Sequence, residues 1–273
     1  MHPVKQKPIR EVTSRENSLI KTFRRALADG RTREGWLAVE GPHLVEEALE
    51  AAPRARIESV LIANDTLKNH ERIIAKLDAA TEVTRVPAPL FDHIAGTETP
   101  QGIAALVDIE RTDLDGILSA PGALLLVACG IQDPGNLGSM LRSAHALGGT
   151  ALVAMEGTVS PFNPKTMRAS AGAIFHLPVI AMDDADILAR AARAKGIRLI
   201  AAERSSSSPV READLRGSVA IFIGREGSGL DPKVTREMDL LLSIPLRSSS
   251  DSLNAAVAAG IFLYEASRQR GIE

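Results

Sequence analysis

The sequence predicts an α/β protein in two parts: a small mixed unit, then a larger one built on a parallel sheet with helices on both faces. Three observations predict it. Strand-like apolar runs alternate with helical segments along the chain. The run ALLLVACG (123–130) is continuously apolar, as a strand buried on both faces must be. Three helices of the second half open on an Asx-Pro pair, at Asp133-Pro134, Asn163-Pro164 and Asp231-Pro232. Each pair offers a capping side chain followed by proline in the first turn.

The elements follow in order. Residues 14–30 read as a basic amphipathic helix, GWLAVEG (35–41) as a strand, and PHLVEEALEAA, opened by Pro42, as a helix. IESVLIAN, EVTRVP and GIAALVDI are strands, separated by the helices LKNHERIIAKLDAA and APLFDHIAG. The polar stretch at 110–121 reads as a linker. Beyond it come a helix from Pro134 to Leu147, strand TALVAM, a helix from NPKTM, strand HLPVI, helix DADILARAARAKG and strands IRLIAAE and VAIFIG. Helix DPKVTREMD, strand LLLSIP and a last Ala-rich helix complete the chain. The expected organisation is a basic N-terminal arm (1–34), a small domain (35–109), the linker (110–121) and a larger domain (122–273).

Composition narrows the class. With 45% apolar but only 3% aromatic residues, the core must be aliphatic. A single cysteine, Cys129, excludes an internal disulfide and a multi-cysteine zinc site, and reads as a reducing, cytoplasmic setting. No apolar stretch approaches the ~20 residues of a membrane span. The N-terminus lacks the apolar core of a secretory signal. Net charge is −2, yet residues 1–35 hold nine Lys and Arg against four Asp and Glu, a local +5 that leaves −7 for the remainder. A basic arm on an acidic body is compatible with RNA contact, and equally with a solvated terminal helix.

Ligands of parallel sheets bind beyond the carboxyl ends of the strands, and three loops there carry unusual residues. In CGIQDPGNLGSMLRSAHALG (129–148), Asn136 stands early in the helix. Ser139 and Arg142 share its polar side, opposite Leu137, Met140, Leu141 and Leu147. Arg142 reads as a surface charge or as a phosphate clamp. In IFIGREGSGLDP (221–232), three glycines let the backbone approach a flat ligand. The pattern is neither G-x-G-x-x-G nor a Walker loop. Glu226 inside it is costly to bury unpaired and is expected to meet a cation, with Arg142 the candidate. In IPLRSSSDSLNAAVAAGIF (244–262), a polar loop runs into an uncharged helix that Asp251 or Ser252 is expected to cap. That helix is so apolar that the sheet on one side and a second subunit on the other are expected to cover it. The chain has no H-E-x-x-H, no cysteine pair and no G-x-S-x-G, so neither a metal site nor a serine nucleophile is expected.

Together the three loops resemble the SpoU (TrmH) family of RNA ribose 2′-O-methyltransferases, a branch of the SPOUT class. The N-x-G-x-x-x-R motif is matched by Asn136, Gly138 and Arg142, and G-x-E-G-x-G-L by Gly224, Glu226, Gly227, Gly229 and Leu230. The third motif is matched by Ile244, Pro245 and Leu246 with Ser252, Leu253 and Asn254. VEGPHLVEEAL and TETPQGIAALV in the first half resemble the family's RNA substrate-binding domain. The resemblance implies a trefoil knot, a homodimer, and S-adenosylmethionine held at Gly224, Ile244 and Leu253 with Leu246 and Gly229 nearby. It implies Arg142 as the main catalytic residue, with Asn136, Glu226, Ser252 and Asn254 shaping its surroundings. Ribosomal RNA is favoured over tRNA by family analogy. The chain departs from the pattern at Ser248, often glycine, and at Ser250, often apolar. Two other readings are a non-catalytic RNA-binding protein of the same fold and a base methyltransferase of the wider class. The Arg142–Glu226–Asn254 set speaks against the first and the N-x-G-x-x-x-R signature against the second.

Overall fold

The structure is a computed structural model and describes residues 9–247 and 252–271. Ser248, Ser250 and Asp251 therefore lie outside the described residues. The chain divides into two units at Glu110 and Arg111, with Phe162–Pro164 counted in the first.

The first unit holds five strands: β1 (Ile9–Glu11), β2 (Leu37–Glu40), β3 (Ala55–Ala63), β4 (Glu82–Val86) and β5 (Ile103–Ile109). Their order is β1-β4-β3-β5-β2. β1, β4 and β3 run parallel, and β5 is antiparallel to both its neighbours. Four helices accompany them: α1 (Ser18–Asp29), α2 (Pro42–Glu50), α3 (Glu71–Lys76) and α4 (Ala88–Ile94). In α1 the side chain of Asn17 accepts from the Leu19 N–H at 2.9 Å. Its apolar positions Ile20, Phe23, Ala26 and Leu27 are all buried, one stripe at helical spacing, while Arg24 and Arg25 face outward. Residues 9–34 thus fold with this unit: β1 extends the sheet through β4 and α1 enters its core. The three residues of β1 carry no apolar run, so nothing in their pattern announces a strand.

The second unit has six strands, all parallel: β6 (Leu124–Ala128), β7 (Ala151–Met155), β8 (Val179–Met182), β9 (Arg198–Ala202), β10 (Val219–Ile223) and β11 (Leu240–Leu242). Their order is β11-β9-β10-β6-β7-β8. Every residue of β6, β7 and β10 is buried, which is why their sequences are continuously apolar. The helices are α5 (Leu114–Leu118), α6 (Pro134–Ala146), α7 (Pro164–Ala169), α8 (Ala173–His176), α9 (Ala185–Ala194), α10 (Pro232–Arg236) and α11 (Ala255–Arg270). On one face of the sheet Leu125, Val127, Val153, Leu199 and Phe222 pack with Leu188 and Ala192 of α9. Residues between these in the strands point the opposite way, where α6 and α11 lie against the central strands and each other.

The segment expected as a linker contains α5. Asp113 accepts from the Gly116 N–H at 2.8 Å, and Ile117 and Leu118 are buried in the second unit's core. A capped turn with two apolar residues needs only a neighbour to bury them, and α9 supplies it. Two of the Asx-Pro starts cap as expected: Asp133 accepts from the Asn136 N–H and Asp231 from the Lys233 N–H, both at 2.8 Å. α8 and a 3-10 turn at Val210–Glu212 are additions.

Cys129 follows β6 and packs against the core, and burial pushes its thiol up to about 12. The folded chain is therefore expected to react with a thiol reagent at pH 8 about a thousandfold more slowly than the unfolded chain. Stopped-flow labelling with and without denaturant measures the ratio.

Candidate active site

β10 ends at Ile223, and the following loop doubles back on itself. Arg225 and Gly229 exchange both backbone hydrogen bonds at 3.0 Å. The turn between them uses Gly227 at φ 83° and Gly229 at φ 68°. Gly224 is required for another reason: a Cβ there would press into the Gly229 carbonyl carbon and the Leu230 amide nitrogen.

Glu226 projects from this loop and gathers residues from two distant segments. Its Oε1 accepts from Asn136 Nδ2 at 2.9 Å, Asn254 Nδ2 at 2.7 Å and the Ala255 N–H at 3.2 Å. Asn254 Nδ2 also donates to Asn136 Oδ1 at 2.8 Å. The carboxylate thus sits at the N-terminus of the sixteen-residue α11, where the helix dipole and a free N–H favour a negative charge. This corrects the expected ion pair. Glu226 is exposed, and two amides and a helix end satisfy it in place of Arg142. Arg142 follows Asn136 by six positions, which leaves the two about 120° apart around α6. Arg142 is exposed and, among the described residues, has no hydrogen bond or ion pair.

The cap of α11 is also corrected. Asn254 Oδ1 accepts from the Ala256 N–H at 2.9 Å and the Val257 N–H at 3.2 Å, so Asn254 caps the helix, while Ser252 is exposed two residues before it. Asn254 serves two purposes, and two variants separate them. Asn254→Ala is expected to cost about 1–2 kcal/mol in denaturant unfolding through the lost cap. Asn254→Asp keeps the capping oxygen but sets a carboxylate against Glu226, so its stability should fall less while turnover falls as far.

Beside this cluster a cleft of about 730 Å³ opens over the carboxyl ends of β9, β10 and β11. Gly224, Gly229, Ile244, Leu246 and Leu253 all line it, as do Glu226 and Ser252. Leu242, Ala255, Ala258 and Phe262 add apolar surface, and Leu246 keeps 36% of its own exposed. Asn136 and Asn254 reach the cleft's edge through Glu226, and Arg142 does not line it. The chemistry is that of a site for a flat, partly apolar ligand, with apolar walls, a glycine-rich rim and a few converging polar groups.

Sequence reasoning missed one wall, Ala202–Ser205. Here Glu203 Oε1 accepts from the Ser205 N–H at 3.1 Å and from Ser205 Oγ at 3.0 Å. The serine run beyond it is tied down as well: Ser206 Oγ donates to Leu241 O at 2.6 Å and Ser243 N to Ser208 O at 2.8 Å. The position of this wall at the carboxyl end of β9 was the signal available.

Comparison with known proteins agrees with this geometry. Residues 123–264 match the SpoU rRNA Methylase family, and residues 17–105 match the MRM3-like substrate binding domain. A 23S rRNA (guanosine(2553)-2′-O)-methyltransferase, RlmP of Bacillus subtilis, is 32% identical over 94% of this chain and 98% of its own. The chain belongs to the SpoU rRNA Methylase family. Among solved SpoU-type structures, an AdoMet-bound rRNA methyltransferase from Sinorhizobium meliloti superposes with a TM-score of 0.82 at 30% identity, covering 95% of this chain and 98% of that one. The SpoU methyltransferase AviRb from Streptomyces viridochromogenes, in complex with AdoMet, gives 0.78 at 28% identity, covering 94% and 99%. The SpoU match spans β6 to most of α11 and so contains every residue of the cleft.

Proposed function

We propose that this protein transfers a methyl group from S-adenosylmethionine to a ribose 2′-hydroxyl of ribosomal RNA. The observation that carries the reading is the cleft itself, whose walls hold the second and third motif segments, with the Asn136–Glu226–Asn254 cluster at its edge. Its apolar walls and glycine rim suit an adenosine, and its volume suits a ligand of that size. Gly224, Ile244 and Leu253 would hold the cofactor by their backbone, with Leu246 and Gly229 beside them. S-adenosylmethionine, when bound, supplies an activated methyl group on a sulfonium centre.

The remaining work falls to alignment and charge. Arg142 binds the phosphate 3′ to the acceptor ribose and stabilises the developing alkoxide. A guanidinium is not a base near neutrality, so the hydroxyl proton leaves to a substrate phosphate, to water or to Glu226. Asn136, Ser252 and Asn254 place the ribose. The first unit, with its basic α1, holds the RNA.

We further propose a homodimer. The first ten residues of α11 carry no charge, yet Val257 is 51% and Tyr264 60% exposed. A second copy covering that face would bury both. Arg142 stands on α6, which packs against α11, so the same interface decides which cleft it serves. Among the described residues no helix is long and apolar enough to cross a membrane. We propose a cytoplasmic protein that uses no metal.

Mapping ribose methylation in total RNA with and without the gene tests the reading. One mark in ribosomal RNA should vanish on deletion. A mark lost from tRNA instead would move the substrate, and loss of none would leave a binding protein without this activity.

A further inference from the structure

We propose that Arg225, whose loop lines the cofactor cleft, is a further contact to the RNA substrate, a phosphate-binding residue with its side chain laid across two glycines beyond β6 and β7. The proposal rests on the function given above and adds a residue to it.

Arg225 lies two residues beyond β10, with its backbone fixed in both directions by Gly229. Its side chain crosses the carboxyl end of β6. A Cβ on Gly130 would collide with Nε and stand 2.9 Å from Cγ. It then reaches the end of β7, where a Cβ on Gly157 would stand 3.1 Å from Nη2. Both glycines have left-handed backbones, at φ 70° and 77°. Their loops are tied together: the Gly130 N–H donates to Thr158 Oγ1 at 2.9 Å, and Thr158 Oγ1 donates to Ala128 O at 2.9 Å. Val159 N–H donates to Ile131 O at 2.8 Å. The stem of Arg225 therefore rests on a fixed trough that any side chain at either glycine would fill.

The guanidinium itself is left open. Arg225 is exposed and, among the described residues, its side chain has no ion pair or hydrogen bond. Three exposed arginines of this unit are compensated, Arg193 by Glu237, Arg216 by Asp214 and Arg268 by Glu265, whereas Arg225, like Arg142, is not. An ordered, uncompensated guanidinium is suited to a planar anion, and phosphate is the anion RNA presents. Its place agrees. The cofactor cleft, which Arg225 also lines, lies over β9, β10 and β11, Glu226 stands next in sequence, and the Arg225 side chain extends over the ends of β6 and β7. A strand whose ribose meets the Glu226 cluster would carry its flanking phosphates across this side.

The test uses the full-length protein and deproteinised ribosomal RNA from cells lacking the gene. Arg225→Gln keeps the stem on the glycines and removes the charge. Gly157→Ala keeps the charge and displaces it. Both are expected to raise KM for RNA about tenfold, with kcat changed less than threefold. S-adenosylmethionine affinity by calorimetry should be unchanged. For Arg225→Gln the slope of log binding constant against log salt should fall by about one. Arg225→Lys should recover part of the loss. An unchanged KM and salt slope overturn the proposal, as does a loss of cofactor affinity or melting temperature that accounts for the change. If the wild type methylates no RNA, the functional reading fails, while the salt slope of binding still decides the role of Arg225.

Discussion

Arg142→Ala is expected to abolish methyl transfer while leaving S-adenosylmethionine bound. Arg142 does not line the cleft and, among the described residues, holds no partner whose loss would disturb the fold. Its neighbours Leu141 and Met140 are fully buried, so α6 keeps its seat without it. In the proposed mechanism the charge acts on the acceptor side, where a donor aimed at a developing oxyanion contributes on the order of a hundred- to a thousandfold. In that mechanism it also holds the 3′ phosphate, so the loss in kcat/KM should reach at least about a thousandfold, or ~4 kcal/mol. The cofactor Kd should move less than twofold by calorimetry. Arg142→Lys, a point charge without the planar fork, should recover little. A variant that lost cofactor binding as well would move Arg142 into the cleft and end the assignment.

Gly224→Ala is expected to act in the opposite way, through the cofactor. The added methyl group must displace backbone at Gly229 and Leu230, and backbone cannot swing aside as a side chain can. The paired bonds between Arg225 and Gly229 would open, taking one wall of the cleft and Glu226 with them. S-adenosylmethionine affinity should fall about a hundredfold, ~2.7 kcal/mol, and turnover at saturating cofactor should fall too, since Glu226 anchors Asn136 and Asn254. Circular dichroism should remain that of the wild type, because the strands of the sheet are untouched. Near-normal affinity in this variant would mean that the glycine loop is not the cofactor's wall.

Much of the fold was legible because the second unit obeys simple rules. Strands buried on both faces read as apolar runs, and the helices between them start at side chains that cap them. The exceptions are physical. β1 is three residues, Ile-Arg-Glu, and owes its existence to the edge of β4. α5 is a single capped turn whose helical form depends on α9 lying beside it. The site was legible as three segments, and most of the residues named from them do converge. Their pairing was not legible. Glu226 meets Asn136 across ninety positions and Asn254 across twenty-eight, and no spacing along a chain reveals that two amides and a helix end would satisfy the carboxylate. The wall at Ala202–Ser205 was hidden beside the serine run that begins at Ser205 and resembles an ordinary solvent loop.

The bond between Asn136 and Asn254 closes a loop of 118 residues. Asn136 is translated long before Asn254, and during that interval β7 to β11 must all emerge and find their places. Until the segment bearing Asn254 has left the ribosome, the pocket lacks a side and Glu226 lacks its helix. A nascent chain halted before α11 is therefore silent as an enzyme however much of its sheet has formed. Activity first arises when α11 docks, so the growing polypeptide cannot tie up methyl donor before that helix is made.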